Sequence, residues 1–505
     1  MKRGCLIFLS LLLVAGSVQA EKAPSGPALD DIFLWLAGGL SSARVQRLAD
    51  TGLACRITPP CIRALQKSGA SPALIQNLAR QSSTHQNANY RNAAYQKVAV
   101  QSERKKSAAT ASCTCGSGAV AVATLVHDKN FQAAEDKVQA LLHDDSENAS
   151  LLFVLGTILR RQERFDEALD AFTQSLHLMP GFAETHSQLS YLYYRTDDAD
   201  YALAEARTAL SIDPGNAEAY RYLGLALYAN SHYDAALNAF QKSLESAPEN
   251  ADVYFDMGIT QRDQGDLRRA GIAYHHALSL RPDFWQAHSN LGVVLRDQGK
   301  LDEALAEYRV ALRLKPDEPS VRNNLGNTLC DKEDFDDAIA EFKELYRQTP
   351  EWEGGHNCLA RAYMSKGDYP AAILELHMAI VANPAGAAEQ RALGQALLLS
   401  GKDQEAIEAL RKALWLNPES TQAHHFLGTA LVNTQQFGAA EKEFREALRL
   451  EPNAQNHYSL AACLMALNRY EEALAELEIA SRLDPKENLY RARMQEAARM
   501  ITTSK

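Results

Sequence analysis

Apolar residues recur along most of the chain at three- and four-residue spacing, in short blocks that a turn signal ends. The block 285–318 shows this most clearly, because its apolar positions 287, 291, 294 and 295 lie on one face of a helix. Gly299 suits the left-handed turn that often ends a helix. A second apolar face runs from Leu301 to Leu312, and Pro316 prevents that helix from continuing. The block therefore predicts a pair of antiparallel helices.

The block is repeated with a constant period, which a ladder of prolines marks. The prolines are 34 residues apart, except that the last comes one residue early. Twelve residues before each proline stands an alanine, and 24 residues before it stands Gly, Ala or Ser. Small residues in these two columns allow two helix axes to approach closely, so the period predicts an array of similar helix pairs. The prolines are Pro180, Pro214, Pro248, Pro282, Pro316, Pro350, Pro384, Pro418, Pro452 and Pro485.

The typical unit has a small residue at the eighth position, Ala at the twentieth, an aromatic residue or Leu at the twenty-fourth and Pro at the thirty-second. This pattern resembles that of the tetratricopeptide repeat family. The resemblance implies an all-α, right-handed superhelical solenoid of about ten helix pairs over residues 149–486. A degenerate half-repeat or cap is expected at 119–148 and a C-terminal capping helix at 487–505. Because members of this family are scaffolds, the resemblance also implies that the chain binds other proteins.

In this family the first helix of each unit lines a concave groove, mainly through unit positions 2, 5, 9, 12 and 13. Projected onto this chain, these positions carry aromatic residues early and amides and arginines later, with two asparagines at the sixth position, where asparagines line the groove of some members. Amide side chains can donate and accept hydrogen bonds, so they suit the backbone of an extended peptide. The candidate partner-binding residues are Phe153, Tyr191, Tyr194, Tyr228, Arg262, Asn290, Arg296, Asn323, Asn324, Asn327, Asn357 and Arg361.

A second comparison within the family concerns the carboxylate clamp of chaperone-binding members. Asn327 occupies the ninth-position asparagine of that clamp, but Asn323 stands where the clamp has lysine. Cys358, Ala388 and Ala392 occupy the remaining clamp positions. The incomplete set predicts no binding of chaperone tails.

The chain before the repeats divides into three segments. Residues 1–20 have a basic start, a short apolar stretch and a small-residue cleavage site, which predict a signal peptide, with an uncleaved N-terminal anchor as the alternative. Residues 29–80 predict a small helical module of four short helices for docking or spacing, and a Cys55–Cys61 disulfide is a possible support for so small a domain. Residues 81–118 are polar and aperiodic, which predicts a flexible linker.

Charge and motifs narrow the function. The net charge of −11 argues against nucleic acid as a partner, since phosphate binding needs clustered Lys and Arg. Phosphate loops, nucleophile elbows and zinc-protease motifs are absent from the sequence, so we predict no enzyme activity, cofactor or metal. The histidine pairs at 275–276 and 424–425 are expected to serve packing or the surface, and Cys330, Cys358 and Cys463 to be core thiols.

The sequence thus predicts a periplasmic or secreted scaffold that binds a protein or peptide in its groove and does not insert into the membrane after signal cleavage. Two alternatives stay open. One is an enzyme or redox-active subunit that uses the 29–80 module or the Cys113/Cys115 pair. The other is an envelope protein whose repeats bridge several partners of a secretion or cell-wall machine. The oligomeric state does not follow from the sequence.

Overall fold

A computed structural model describes residues 29–40, 42–49, 57, 59–81 and 117–503. These residues are all-α and contain no strand. The chain forms two compact units, residues 1–248 and 249–505. The predicted signal peptide and most of the predicted linker lie outside the described residues.

The described part of the first unit contains four short helices, followed by four helix pairs. The helices are α1 (Leu29–Ala37), α2 (Ser42–Ala49), α3 (Pro59–Lys67), α4 (72–81), α5 (Ser117–His127), α6 (Phe131–Asp144), α7 (Ala149–Arg161), α8 (Phe165–Leu178), α9 (Ala183–Arg195), α10 (Ala199–Ile212), α11 (Ala217–Ala229) and α12 (Tyr233–Ser246).

The second unit contains seven helix pairs and a terminal helix. These are α13 (Ala251–Asp263), α14 (Leu267–Leu280), α15 (Trp285–Asp297), α16 (Leu301–Leu314), α17 (Pro319–Asp331), α18 (Phe335–Gln348), α19 (His356–Ser365), α20 (Tyr369–Ala382), α21 (Ala387–Leu399), α22 (Asp403–Leu416), α23 (Thr421–Asn433), α24 (Phe437–Leu450), α25 (Ala454–Ala466), α26 (Tyr470–Leu483) and α27 (Asn488–Thr503).

The segment 119–148, predicted as a degenerate half-repeat or cap, holds most of a helix pair, α5 and α6. Helix α5 has a weak repeat pattern of its own but packs against α1, with Val122, Ala123 and Val126 buried. Burial against the N-terminal helices therefore stabilises a helix that the repeat pattern alone does not predict.

A left-handed residue ends the first helix of each repeat pair. Gly299 has φ +76° at the turn between α15 and α16, as its place in the sequence predicts. The same unit position holds Glu163 with φ +61° and Glu333 with φ +66°. The turn therefore forms with non-glycine residues too, because the packed helices on either side hold it in place.

Small residues at the eighth position of a unit lie under the aromatic residue at the twenty-fourth. A Cβ atom added to Gly292 would lie 2.7 Å from the ring of Tyr308, and one added to Gly428 would lie 2.7 Å from Phe444. Tyr308 is fully buried, and its ring covers the glycine backbone. The missing side chain thus allows the two helices of each pair to pack around one large ring.

A basic side chain on the first helix of a pair contacts a glutamate on the second, 19 residues later. The basic residue is histidine in five pairs and Arg322 in a sixth, where it lies 2.7 Å from Glu341. In three of the histidine pairs the second ring nitrogen contacts the carbonyl of the preceding repeat proline. The histidine pairs are His186–Glu205, His288–Glu307, His356–Glu375, His424–Glu443 and His457–Glu476, with distances of 2.6–2.7 Å.

Candidate protein-binding site

A cavity of about 950 Å³ lies between the first helices of three successive pairs of the second unit, α17, α19 and α21. Three of the predicted partner-binding residues line it, Asn327, Asn357 and Arg361. The cavity therefore lies on the face that the repeat register assigns to the groove. Its other lining residues include Cys330, Asp331, Glu333, Cys358, Met364, Ala388, Glu389, Arg391, Ala392, Gln395 and Leu399.

Two local features leave room for this cavity. Helix α19 begins at His356, three residues later in its 34-residue repeat than the first helices of the other repeats. It follows Gly355, which is left-handed with φ +92°. The ring of Phe342 leaves no space for a Cβ atom at Gly355. On the opposite wall Ala388 and Ala392 project only a methyl group each. The space thus depends in part on two alanines at positions that could hold larger residues.

Charged side chains link successive first helices along the cavity wall. The Arg296 guanidinium donates to the Asp331 carboxylate at 2.7 Å, from α15 to α17. Arg361 on α19 lies 3.8 Å from the other oxygen of Asp331 and donates to the Cys330 carbonyl. Its side chain is 55% exposed, so Arg361 retains donors that a ligand could use. Asp331 therefore holds two predicted groove arginines in place.

The predicted asparagines divide into engaged and available side chains. Asn357 donates to Glu389 at 3.0 Å, and Asn323 accepts a hydrogen bond from the Trp352 indole at 3.4 Å. Asn327 and Gln395, the latter on α21, both line the cavity. Neither side chain makes a hydrogen bond to the described residues. Hence the amides do not form a uniform ladder, but two of them offer a donor and an acceptor to a bound backbone.

The remaining predicted residues of the second unit lie away from the cavity. Arg262 pairs with its neighbour Asp263 at 2.9 Å. Asn290 and Asn324 are half-buried on α15 and α17 and do not line the cavity. The structure thus brings together only part of the predicted set.

Cys330 and Cys358 form a disulfide, and the expectation that they are free core thiols is wrong. Their Cα atoms lie 6.0 Å apart on α17 and α19, because successive first helices are neighbours. Both residues line the cavity, and the bond closes a loop whose ends are 28 residues apart. Constraint of such a loop in the unfolded chain contributes about 3.5 kcal/mol of stability. Cys463 is a buried free thiol, as predicted.

The other cysteine predictions fall largely outside the described residues. Cys61 is disulfide-bonded. Cys55, Cys113 and Cys115 lie outside the described part of the chain, so the Cys55–Cys61 pairing and a redox role of the Cys113/Cys115 pair stay predictions.

In the first unit the N-terminal helices pack on the repeats. Phe153, a predicted partner-binding residue, is fully buried, and its ring lies against Gly38 at the end of α1. Trp35 packs near Phe182 with ring centroids 6.4 Å apart, and Ser150 donates to Asp31 at 3.0 Å. In this arrangement Phe153 contacts the module instead of a free groove.

An ion pair fixes the module to the repeats. Arg44 on α2 pairs with Glu184 on α9 and lies 2.8 Å from Asp213. The Glu184 side chain is only 3% exposed, so Arg44 neutralises a carboxylate that is almost completely removed from water. The module is therefore docked on the first unit of the same chain.

Beside the module, aromatic and basic residues form a cluster. Tyr191 lies 5.0 Å under the Arg160 guanidinium and 5.2 Å from the Tyr222 ring, and it accepts a hydrogen bond from Arg195 at 2.9 Å. That hydrogen bond raises the pKa of Arg195 above its ordinary value. Tyr194 lies 6.4 Å from Tyr191, so two of the predicted tyrosines belong to the cluster. Tyr228 instead pairs with Tyr233 at 5.9 Å.

Several residues of the cavity were not among the predicted set. Asp331, Arg391 and Gln395 occupy unit positions 13, 5 and 9, which the same register marks as groove positions. A search of every such position would have found them. Glu389 stands at position 3 and carries no such signal.

The part of the chain that the structure describes contains no cluster of three or more His, Cys, Asp or Glu side chains suited to a metal ion. None of its helices combines the length and apolar character that a membrane crossing requires.

Solved structures similar to this chain are helical repeat proteins of low sequence identity. The Cut9-Hcn1 crystal structure is 17% identical, with 75% of this chain and 83% of that chain covered and a TM-score of 0.40. YrrB, described as a TPR protein with an unusual peptide-binding site, is 23% identical over 39% and 98%, with a TM-score of 0.31. A tetratricopeptide repeat protein from Parabacteroides merdae is 17% identical over 49% and 98%, with a TM-score of 0.37. The comparison with curated proteins gave no match.

Family models give the more specific result. Three models of the tetratricopeptide repeat match, the first of them at residues 127–181, 255–319, 359–423 and 427–488. A second matches residues 159–226 and 295–354, and a third matches 217–250. The matched segments lie within the array of helix pairs from α5 to α27 and include the small residues that pack beneath the aromatic rings. The chain belongs to the tetratricopeptide repeat family.

Proposed function

We propose that this chain is an exported scaffold that binds an extended segment of a partner protein in the cavity between α17, α19 and α21. The observation that carries the proposal is the cavity itself, which combines space with unengaged polar groups. Tetratricopeptide repeat proteins serve as scaffolds for protein–protein interaction, and this family membership supports a protein ligand.

The lining favours a peptide backbone over an isolated charge. Asn327 and Gln395 supply amides, Arg361 supplies donors, and Glu389 and Asp331 supply acceptors. Because both signs of charge are present, no net field selects an anionic or cationic ligand. Alternating donors and acceptors instead match the N–H and C=O groups of an extended chain. Leu399 and Met364 add apolar surface for side chains of the ligand.

Binding of displayed random peptides to the full chain tests this proposal. Replacement of both Asn327 and Arg361 by Ala removes two hydrogen-bonding side chains, so affinity for enriched peptides should fall roughly 10- to 100-fold. The matched control is Arg313→Ala, an exposed arginine on α16 that does not line the cavity. If enriched peptides bind the double variant and the native chain equally, the cavity is not the peptide site.

Export is supported by the N-terminal pattern and by the cysteines. A basic start, a short apolar stretch and a small-residue site are typical of signal peptides. The Cys330–Cys358 disulfide favours an oxidising compartment, where such bonds persist. A fusion of the full chain to alkaline phosphatase, which is active only outside the cytoplasm, should be active. An inactive but folded fusion would contradict export.

A further inference from the structure

An exposed apolar stripe interrupts the charged outer surface of the second unit. Leu374, Met378 and Val381 on α20 are 63%, 48% and 75% exposed, and they follow one another at helical spacing. On α22, Trp415 is 80% exposed at the unit position that Val381 occupies on α20. We define these four side chains as the outer patch.

Comparison with neighbouring pairs shows that the patch departs from the repeat pattern. The unit positions of Met378 and Val381 carry Glu344 and Arg347 on α18, which form an ion pair at 2.6 Å. On α24 they carry Glu446 and Arg449, which also pair at 2.6 Å. The family's small and aromatic packing positions do not include these sites, so the fold does not require apolar residues there. An exposed apolar patch of this kind is typical of a protein interface.

We propose that the outer patch is the interface between two copies of this chain, related by a two-fold axis. The four side chains present on the order of 500 Å² of exposed surface, against about 800 Å² per partner in a typical stable interface. The aliphatic stems of the adjacent Arg411 and Lys412 extend the apolar surface further. Tryptophan is also the residue type most often found at the energetic centre of an interface.

The charges beside the patch favour a second copy as the occupant. Glu408, Arg411 and Lys412 lie on the same exposed stripe of α22 as Trp415. None of the three forms an ion pair with another described residue, whereas the acidic residues at the repeat position of Lys412, Glu344 on α18 and Glu446 on α24, each pair with an arginine of their own helix. In a two-fold interface the same patch of each copy faces the other, so Glu408 of one copy can pair with Arg411 or Lys412 of the other. Because acidic and basic side chains lie together at one edge of the outer patch, the patch is complementary in charge to a second copy of itself.

Sedimentation equilibrium of the full chain, which has a mass of 55.6 kDa, tests the proposal. The native chain should form a dimer, and Trp415→Gln should weaken dimerisation by at least tenfold, since a tryptophan anchor carries a large share of the binding energy of an interface. The control Tyr201→Gln removes an aromatic side chain that is 64% exposed in the first unit and should leave the dimer unchanged. Helicity by circular dichroism verifies that each variant is folded.

A charge exchange distinguishes self-association from binding of another protein. Glu408→Arg alone should weaken the dimer, because it places like charges opposite one another. Addition of Arg411→Glu and Lys412→Glu in the same chain should restore it, since both copies then carry the exchanged signs. A monomer at all concentrations, a dimer that Trp415→Gln leaves intact, or failure of the exchange to restore dimerisation would each overturn the proposal. A monomer would leave a different protein as the occupant of the patch.

Discussion

At the scale of single residues, the sizes of the side chains at two positions of each repeat depend on one another. Where the eighth position is glycine, the twenty-fourth is usually a large ring, as in the Gly292–Tyr308 pair. Where the eighth position is Ser190, the twenty-fourth is Ala206, and the serine hydroxyl donates to the Ala202 carbonyl at 2.8 Å. A small residue at the twenty-fourth position thus leaves room for a side chain at the eighth, as close packing of protein interiors requires.

Gly292→Ala should destabilise the chain even though alanine favours helix formation. The added Cβ would lie 2.7 Å from the Tyr308 ring, and such overpacking costs about 1–3 kcal/mol. Helix propensity returns roughly 1 kcal/mol, so we expect a net loss of up to about 2 kcal/mol in urea unfolding of the second unit. Addition of Tyr308→Leu should recover part of the loss by making room. Equal stability of Gly292→Ala and the native chain would show that the ring can move aside.

Two adjacent histidines on α23 are predicted to respond to pH in opposite directions. A hydrogen bond to the Glu443 carboxylate raises the pKa of His424, while burial opposes the rise and the Pro418 carbonyl and Glu446 add to it. Burial lowers the pKa of His425, and its contact with Asn456 offsets only part of this effect. Protonated His424 and neutral His425 are therefore the forms that the fold favours.

The stability contribution of His424 is fully present below its ordinary pKa of 6.5 and is lost as pH rises through the raised folded value. For His425 the contribution is present above 6.5 and is lost as pH falls toward the lowered folded value. In unfolding measurements between pH 5 and 8, His424→Gln should thus reduce the loss of stability at the alkaline end. His425→Gln should reduce the loss at the acid end. The same change in both variants would show that neither histidine titrates as these contacts imply.

At the scale of elements, the sequence predicts what repeats with the period and misses what interrupts it. Within each compact unit, the repeat helices pack against their neighbours in sequence, so a 34-residue pattern suffices to predict their pairing. The late start of α19 depends on Gly355 and the Phe342 ring, and its effect on the cavity appears only in three dimensions. The disulfide joins position 12 of one unit to position 6 of the next, a pairing that a view of single helices does not suggest.

The sequence predicts the candidate site only in part, as it does the fold. The register assigns Asn327, Asn357 and Arg361 to one face, and all three line the cavity. It gives no information on which amides are already engaged, because the partners of Asn323 and Asn357 are Trp352 and Glu389, about 30 residues further along the chain. Side-chain hydrogen bonds between neighbouring units follow from local geometry and not from the period.

At the scale of the whole molecule, the contacts of the N-terminal module lie beyond the reach of any period. Arg44 and Glu184 are 140 residues apart, and Asp31 and Ser150 are 119 residues apart. The apolar residues of the four short helices join one core with those of the first repeats. The module covers Phe153 and thereby determines which part of the first unit is open to a partner.

Arg44→Ala should release this module while leaving the repeats folded. The substitution leaves the Glu184 carboxylate, which is 3% exposed, without its cation, and loss of one partner of a buried ion pair costs about 3–5 kcal/mol. A local opening made easier by about 3 kcal/mol should speed hydrogen exchange in α1–α4 by roughly a hundredfold, with little change in α13–α27. The control Arg47→Ala removes an exposed arginine of the same helix and should have no such effect. If α1–α4 are equally protected in the Arg44 variant and the native chain, apolar contacts such as that of Trp35 with Phe182 hold the module by themselves. The ion pair would then contribute no net stability to docking.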